Sequence, residues 1–289
     1  MKEIHSALDI KDIEVKLART PLPVFPNVVA QILRLSEDQN ATARDYEKII
    51  SISPELSAKV LRTANSPYYG GSGIATIQAA LMRLGTETVK SICVAVTFQA
   101  TLQNKATSHH INMELFWQHS LAVACASKIL AYLHKSPFKE QAFLGGLLHD
   151  IGKMALYMLM PQEGLLIRKY QASHQVDDYD AEMAMLGVTH EDIGGLAAKL
   201  WTLPDVLFAP IAHHHQPLDD EFEIMPIAAY VNVANAIAYE AGLGYSPPGP
   251  HNEADPCAMS FLSLPPEQYD TLRNVINKEV QAISSQLRF

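Results

Sequence analysis

An all-α fold is predicted for this chain, and three observations predict it. Capping residues recur just ahead of runs whose apolar side chains return every three or four positions. No pair of alternating apolar runs is joined by a hairpin turn. With 18% of its residues charged and 48% hydrophobic, the 289-residue chain has the composition of a well-packed helical body rather than a disordered one.

The elements follow in order. Asn27 caps a helix to about Ser36, with Val28, Val29, Ile32, Leu33 and Leu35 on its apolar side. Thr42 and Asp45 form a capping box ahead of a helix that buries Tyr46, Ile49 and Ile50. Ser53-Pro54-Glu55 combines a cap, a proline at the first helical position and an acid at the positive end; that helix runs to Asn65, where NSPYYGG turns the chain. Thr76 starts a helix that stops at Gly85, and Thr86 caps a longer one to about Leu102. Residues 112–134 carry a stripe of Leu115, Phe116, Ala122, Val123, Ala126, Ile129 and Leu133, and His119 falls on it. Helices over 139–149 and 153–160 are predicted to break at HDIG, with Gly152 making the turn. Further helices are expected over 181–186 after Asp180, 190–200 capped by Thr189 with Asp192, 204–213 from Pro204, and from Pro226 to about Ala241. Residues 242–264, rich in proline and glycine at first, read as a loop. A last amphipathic helix, 265–287, places Tyr269, Leu272, Val275, Ile276, Val280 and Ile283 on one side, to be packed on the body.

Composition also excludes function classes. A net charge of −9 argues against a broad nucleic-acid surface, which needs clustered Lys and Arg to neutralise phosphates. Three cysteines imply no disulfide framework, and Cys93 and Cys125 read as small core residues. The start of the chain lacks the apolar run of a signal peptide. Apolar stretches such as 92–98 fall far short of the roughly 18 residues a membrane span needs, so a cytoplasmic protein is expected.

What remains unusual is the histidines. LLHDIGK sets His149 beside Asp150 at a helix end, where both side chains can converge on one point, with Lys153 one turn on. Imidazole and carboxylate together suit a first-row transition metal, and a carboxylate can bridge two ions. Lys153 could then set a cation against a phosphate held there. Singly, the other histidines have ordinary readings: His119 as a core residue, His190 as a surface residue beside a cap, and 213–215 as a solvated helix end. Jointly they supply the remainder of a ligand set.

The order of His119, His149-Asp150, His190 and His214-His215 resembles the HD superfamily of metal-dependent phosphohydrolases. More closely, LPVFPNVVAQILRLSED, IISISPELSAKVLRTANSPYYG, IQAALMRLG, FWQHSLAVA, GLLHDIGK, THEDIGGLAAKLWTLP and IAHHHQP, in that order over about residues 22–240, resemble the HD-related output domain (HDOD), a bacterial signalling module. The resemblance implies a multi-helix HD-type bundle with an N-terminal helical lobe packed on it. The divisions would be an extension (1–20), an N-terminal lobe (21–105), a metal-site lobe (106–241), the loop (242–264) and the C-terminal helix (265–289). It also implies that His119, His149, Asp150, His190, His214 and His215 hold iron or manganese, one ion or two, and that Lys153 meets phosphate. His213 stands outside the set. The last ligand of active HD enzymes is an aspartate; its counterpart here is Asn235, which offers a carbonyl oxygen without charge.

Other departures narrow the function. His214-His215 leads to Gln216-Pro217-Leu218, not the acid and GYP of cyclic di-GMP phosphodiesterases, and Leu115 stands where some of those enzymes place a further carboxylate. The GYSP at 244–247 is read as a chance echo, and cyclic di-GMP hydrolysis is not expected. The leading expectation is therefore a regulatory module acting through a protein partner or a nucleotide or phosphate ligand. The alternative is a phosphohydrolase in which Asp150 positions or deprotonates the attacking water and Lys153 stabilises the developing charge. A third reading is an iron or redox sensor built on the same residues.

Overall fold

Helix ends fall where capping chemistry puts them. The computed structural model describes residues 10–19, 27–35, 38, 40–71, 73–103, 111–218 and 223–287, and among these the only extended pairing is an isolated bridge between Leu218 and Ile224. The first residues (1–9), the LPVFP stretch (22–26) and the 104–110 connection lie outside the described residues.

The N-terminal half contains α2 (Asn27–Leu35), α3 (Ala43–Ser51), α4 (Pro54–Ala64), α5 (Ile77–Leu84) and α6 (Thr86–Gln103). Asp45 takes the Thr42 N–H at 3.1 Å, Ser53 takes the Leu56 N–H at 3.2 Å, and Thr76 takes the Ala79 N–H at 3.1 Å, so these three predicted starts hold. Asn27 and Thr86, predicted as caps, are instead the first helical residues of α2 and α6. Gly85 closes α5 at φ +83°, a conformation that favours glycine. α6 is the backbone of this half and its bridge to the rest: Thr88 and Ser91 both donate to Glu140, which also holds Lys128.

The C-terminal half is organised around α7 (Met113–Leu133), which α8 (Lys139–Leu148), α14 (Pro226–Glu240) and α16 (Pro266–Leu287) all pack against. Its middle is buried all round; its ends are not, and Leu115 and Leu133 of the predicted stripe are exposed. α9 (Ile151–Leu159) crosses α12 (His190–Leu200), with α10 (Pro161–His174) and α11 (Asp178–Leu186) between them in sequence and α13 (Phe208–Ala212) beyond.

Several expectations need correction. α1 (Ile10–Arg19), inside the predicted extension, is a helix that buries Ile13 and Leu17 and packs on α9 and α12. α10 was not anticipated. α11 starts earlier than Asp180, because Asp177 is the cap and takes the Asp180 N–H at 2.9 Å. Pro204 precedes only a 3-10 turn (Asp205–Leu207) before the short α13. The 242–264 loop contains α15 (Pro256–Leu262), started by Asp255, whose carboxylate accepts from Cys257 N at 2.7 Å and Ala258 N at 3.1 Å. On α16, Leu272 and Ile276 are buried and Tyr269 donates to Glu240 at 2.9 Å, whereas Val275 is exposed.

Candidate metal centre

α8 ends at Leu148, and His149 and Asp150 are the break itself; helix resumes at Ile151 and runs through Gly152. Gly152 is therefore not a turn residue. A Cβ there would lie 1.9 Å from the His190 carbonyl oxygen and 2.7 Å from Gly194 N, so glycine is what lets α9 and α12 cross at backbone contact. That crossing brings His190 to Asp150, with Nε2 3.4 Å from Oδ1. The break places His149 Nε2 3.1 Å from Asp150 Oδ2. His119, from the buried middle of α7, reaches the same oxygen with Nε2 at 3.8 Å, and His214, just past α13, reaches Oδ1 at 3.7 Å.

Most of the rings are held from behind. His119 Nδ1–H donates to Leu243 O at 3.1 Å, His149 Nδ1–H to Gly146 O at 2.8 Å, and His215 Nδ1–H to His251 O at 2.6 Å. A carbonyl can only accept, so each contact puts a proton on Nδ1 and turns Nε2 toward the cluster. His190 Nδ1 meets Glu182 Oε2 at 2.6 Å, an oxygen that also takes the His190 N–H at 2.7 Å. His214 is the exception, its Nδ1 lying 3.5 Å from Glu191 Oε1 with no hydrogen bond.

The Nε2 atoms therefore crowd together. His190 Nε2 stands 3.1 Å from His215 Nε2 and 3.2 Å from His214 Nε2. The cluster resolves into two groups, His119-His149-Asp150 and His190-His214-His215, the donor atoms of each lying within 4.8 Å of one another. Asp150 turns Oδ2 to the first and Oδ1 to the second. Buried atoms without a hydrogen-bond partner include Nε2 of His119 and of His149, Asp150 Oδ1 and Asn235 Oδ1. Asn235 lies on α14 between Asn232, which donates to the His214 carbonyl at 2.9 Å, and Tyr239, whose ring is 5.2 Å from that of His119. Its neighbours at i−3 and i+4 both touch the cluster, which sets Asn235 on the same face. The His213 ring lies beside that of Phe208, centroids 6.0 Å apart.

Lys153 is buried between two carboxylates, 3.2 Å from Asp150 Oδ1 and 3.1 Å from Asp178 Oδ2. Asp178 in turn accepts from Arg168 at 3.1 Å and Gln171 at 2.8 Å. Burial alone would raise the Asp150 carboxyl, but His149 and Lys153 overcome it and hold the group well below the usual carboxylate range. Burial would likewise lower Lys153, but Asp150, Tyr245 and Asp178 keep it protonated. Burial, with His149 adjacent, pulls His119 down to about 3; burial, with Lys153 nearby, does the same to His190. His214 and His215 are pushed well below 6.5 by burial and by the neighbouring imidazoles. Those four rings, His119, His190, His214 and His215, are neutral at pH 7, the state that binds metal.

Four participants escape sequence reasoning. Glu182 and Glu191 are helix glutamates that folding buries; Glu191, raised to about 8 by burial, takes the His215 N–H at 2.8 Å. His251 is held by Asp177, its N–H donating to Oδ2 at 3.2 Å, and offers its carbonyl to His215. Tyr245, inside the GYSP echo, donates to Asp150 Oδ2 at 2.7 Å. The echo of the phosphodiesterase motif carries no weight, yet its tyrosine lands on the central carboxylate.

Fold and site together define an all-helical protein built around a buried imidazole–carboxylate cluster. The chain belongs to the HDOD family: the HDOD domain matches residues 22–217. It is similar to an HDOD domain protein of unknown function from Geobacter sulfurreducens (TM-score 0.73, 22% identity, 97% of each chain covered). A Shewanella amazonensis SB2B protein described provisionally as a phosphohydrolase gives a TM-score of 0.70 at 23% identity, covering 95% of this chain and 97% of that one. A Marinobacter aquaeolei VT8 protein described provisionally as a signal transduction protein gives 0.72 at 23%, this chain covering 60% of it. At these identities the likeness establishes the fold. No curated protein matches the chain.

Proposed function

We propose that this protein is a signalling module that holds a divalent transition metal, iron or manganese, at the histidine cluster and acts by binding a partner protein. One observation carries the metal: His190 and His215 face each other through Nε2 at 3.1 Å, and the His215 tautomer, fixed by the His251 carbonyl, puts a lone pair in that gap. Burial holds both rings neutral, the state in which an imidazole nitrogen can bind a cation in that gap. His119, His149 and Asp150 Oδ2 would hold one ion; His190, His214, His215 and Asp150 Oδ1 a second, with Asn235 as a neutral oxygen donor. When bound, such an ion supplies Lewis acidity and acidifies coordinated water.

Burial favours binding over turnover. His119, His149, His190 and His214 have no exposed surface, and Asp150 and Lys153 are each 2% exposed. Structural metal sites are closed, whereas catalytic ones keep an open position that a substrate must reach. Lys153 here neutralises Asp150 and Asp178 instead of facing solvent. The phosphohydrolase reading draws its support from Asp150 Oδ1, which has no hydrogen bond beside its ion pair with Lys153 and could position a water.

Elemental analysis of the purified protein tests the proposal. It should carry about one to two equivalents of iron or manganese, and His149→Ala with Asp150→Ala should abolish uptake. Metal retained by that double variant would remove the site assignment. The metal-loaded protein should leave bis(p-nitrophenyl) phosphate intact; Asp150-dependent turnover would shift the assignment to the phosphohydrolase.

A further inference from the structure

Residues 242–252 lie beyond the matched HDOD segment and close over the cluster. Three of their groups touch it: Leu243 O takes His119, His251 O takes His215, and the Tyr245 hydroxyl meets Asp150 Oδ2 at 2.7 Å. The first two orient ligand rings. The third is different in kind, because an oxygen donor stands beside the atom expected to bind metal. The Tyr245 ring is wedged in place, 5.1 Å from the Phe116 ring and 5.1 Å from the His119 ring, with Lys153 Nζ 5.2 Å from its centroid.

The spacing is that of a coordination sphere. Two adjacent ligands on one ion, with bonds of about 2.1 Å at right angles, lie about 3 Å apart. His149 Nε2 and the Tyr245 oxygen stand 3.1 Å and 2.7 Å from the same carboxylate oxygen. Charge argues the same way. Asp150 is the one carboxylate among the proposed ligands, so a second oxygen donor able to carry charge would offset that of a divalent or trivalent ion.

We propose that Tyr245 is a metal ligand, supplying a phenolate oxygen to the ion at His119, His149 and Asp150; this rests on the metal-site reading above. Coordination breaks the O–H bond and forms the metal–oxygen bond, with the proton leaving to bulk water. Tyrosinate on ferric iron absorbs visible light by ligand-to-metal charge transfer, which a hydrogen-bonding tyrosine does not.

The test is spectroscopic and uses the full chain, loaded anaerobically with ferrous ion and then oxidised with ferricyanide. The ferric protein should show a visible charge-transfer band whose resonance Raman spectrum contains tyrosinate ring modes, a measurement that needs no variant. Tyr245→Phe should lose the band and bind iron about 10–100-fold more weakly, while Tyr239→Phe, whose hydroxyl is engaged with Ser246 at 2.7 Å, should keep it. Iron bound without tyrosinate modes, or a band that survives Tyr245→Phe, overturns the assignment and leaves the metal site standing. Tighter iron binding in Tyr245→Phe also overturns it, marking the hydroxyl as a competitor for Asp150. Failure of the wild-type protein to take up iron any better than His149→Ala with Asp150→Ala would remove both proposals.

Discussion

The two halves of the molecule bury polar groups in opposite measure. Along α2–α6 the interior is apolar apart from neutral groups such as Ser91, Thr97, Gln99 and Thr101, and the charged side chain taken inside among the described residues, Lys90, keeps Glu87 at 2.6 Å. Along α7–α14 the interior takes in five histidines, Asp150, Lys153, Asp177, Asp178, Glu182 and Glu191. Burying such groups is costly unless each finds a partner, and most of these do. The difference separates a packed support from a half that gives up apolar contact to hold donors in fixed positions. Among the atoms left without hydrogen-bond partners there, His119 Nε2, His149 Nε2, Asp150 Oδ1 and Asn235 Oδ1 are ones to which a cation could bind.

The largest expected effect comes from Gly152→Ala. Its methyl would meet backbone on α12, so the two helices must part, at a cost of about 3 kcal/mol or more in a denaturant unfolding curve. A loss below about 1 kcal/mol would mean that the crossing is softer than the ligand geometry requires.

Acid is expected to act next, and on one half first. In metal-free protein His119 and His190 titrate near 3, against 6.5 for a free imidazole, so between those values the unfolded chain binds more protons. Their contribution is therefore full above pH 6.5 and drains away as pH falls toward 3. Glu191, raised from 4.5 to about 8, works in the opposite sense, stabilising below 4.5 and losing that contribution as pH rises to 8. Hydrogen exchange at pH 5 should show α7–α14 losing amide protection ahead of α3–α6; uniform loss would break the contrast between the halves.

Asn235→Asp should raise metal content or affinity by adding charge to the donor set. Unchanged metal uptake would remove Asn235 from the site. The smallest effect belongs to the support: Lys90→Met should alter stability by no more than about 1 kcal/mol, since its partner Glu87 is half exposed and remains hydrated.

How much of this was legible depended on the range of the interaction. Caps such as Thr42, Ser53, Thr76 and Thr189 act within three residues, and the sequence reading located them. The histidines and Asp150 were legible as a resemblance, through the order of their motifs. Glu182 was not, because a glutamate on an amphipathic helix looks solvated until α12 delivers the His190 ring and N–H to it. Gly152 was identified as special for the wrong reason, since a turn and a close helix crossing both ask for glycine. α15 went unseen because its Asp-Pro start lies in a stretch whose prolines and glycines all suggest loop. Tyr245 was set aside because its significance depends on Asp150, 95 positions earlier in the chain.

The late position of the closing segment has a consequence for assembly in time. His119 takes its tautomer from residue 243, and His215 from residue 251. A chain emerging from the ribosome can fold α7–α13 while those acceptors are still being synthesised, with both rings free to turn and to carry a proton on either nitrogen. The donor set becomes fixed only when residue 251 is out. If the cluster takes up the proposed metal, it would do so after residue 251 has been made, and a nascent chain stalled before that point would present looser histidines.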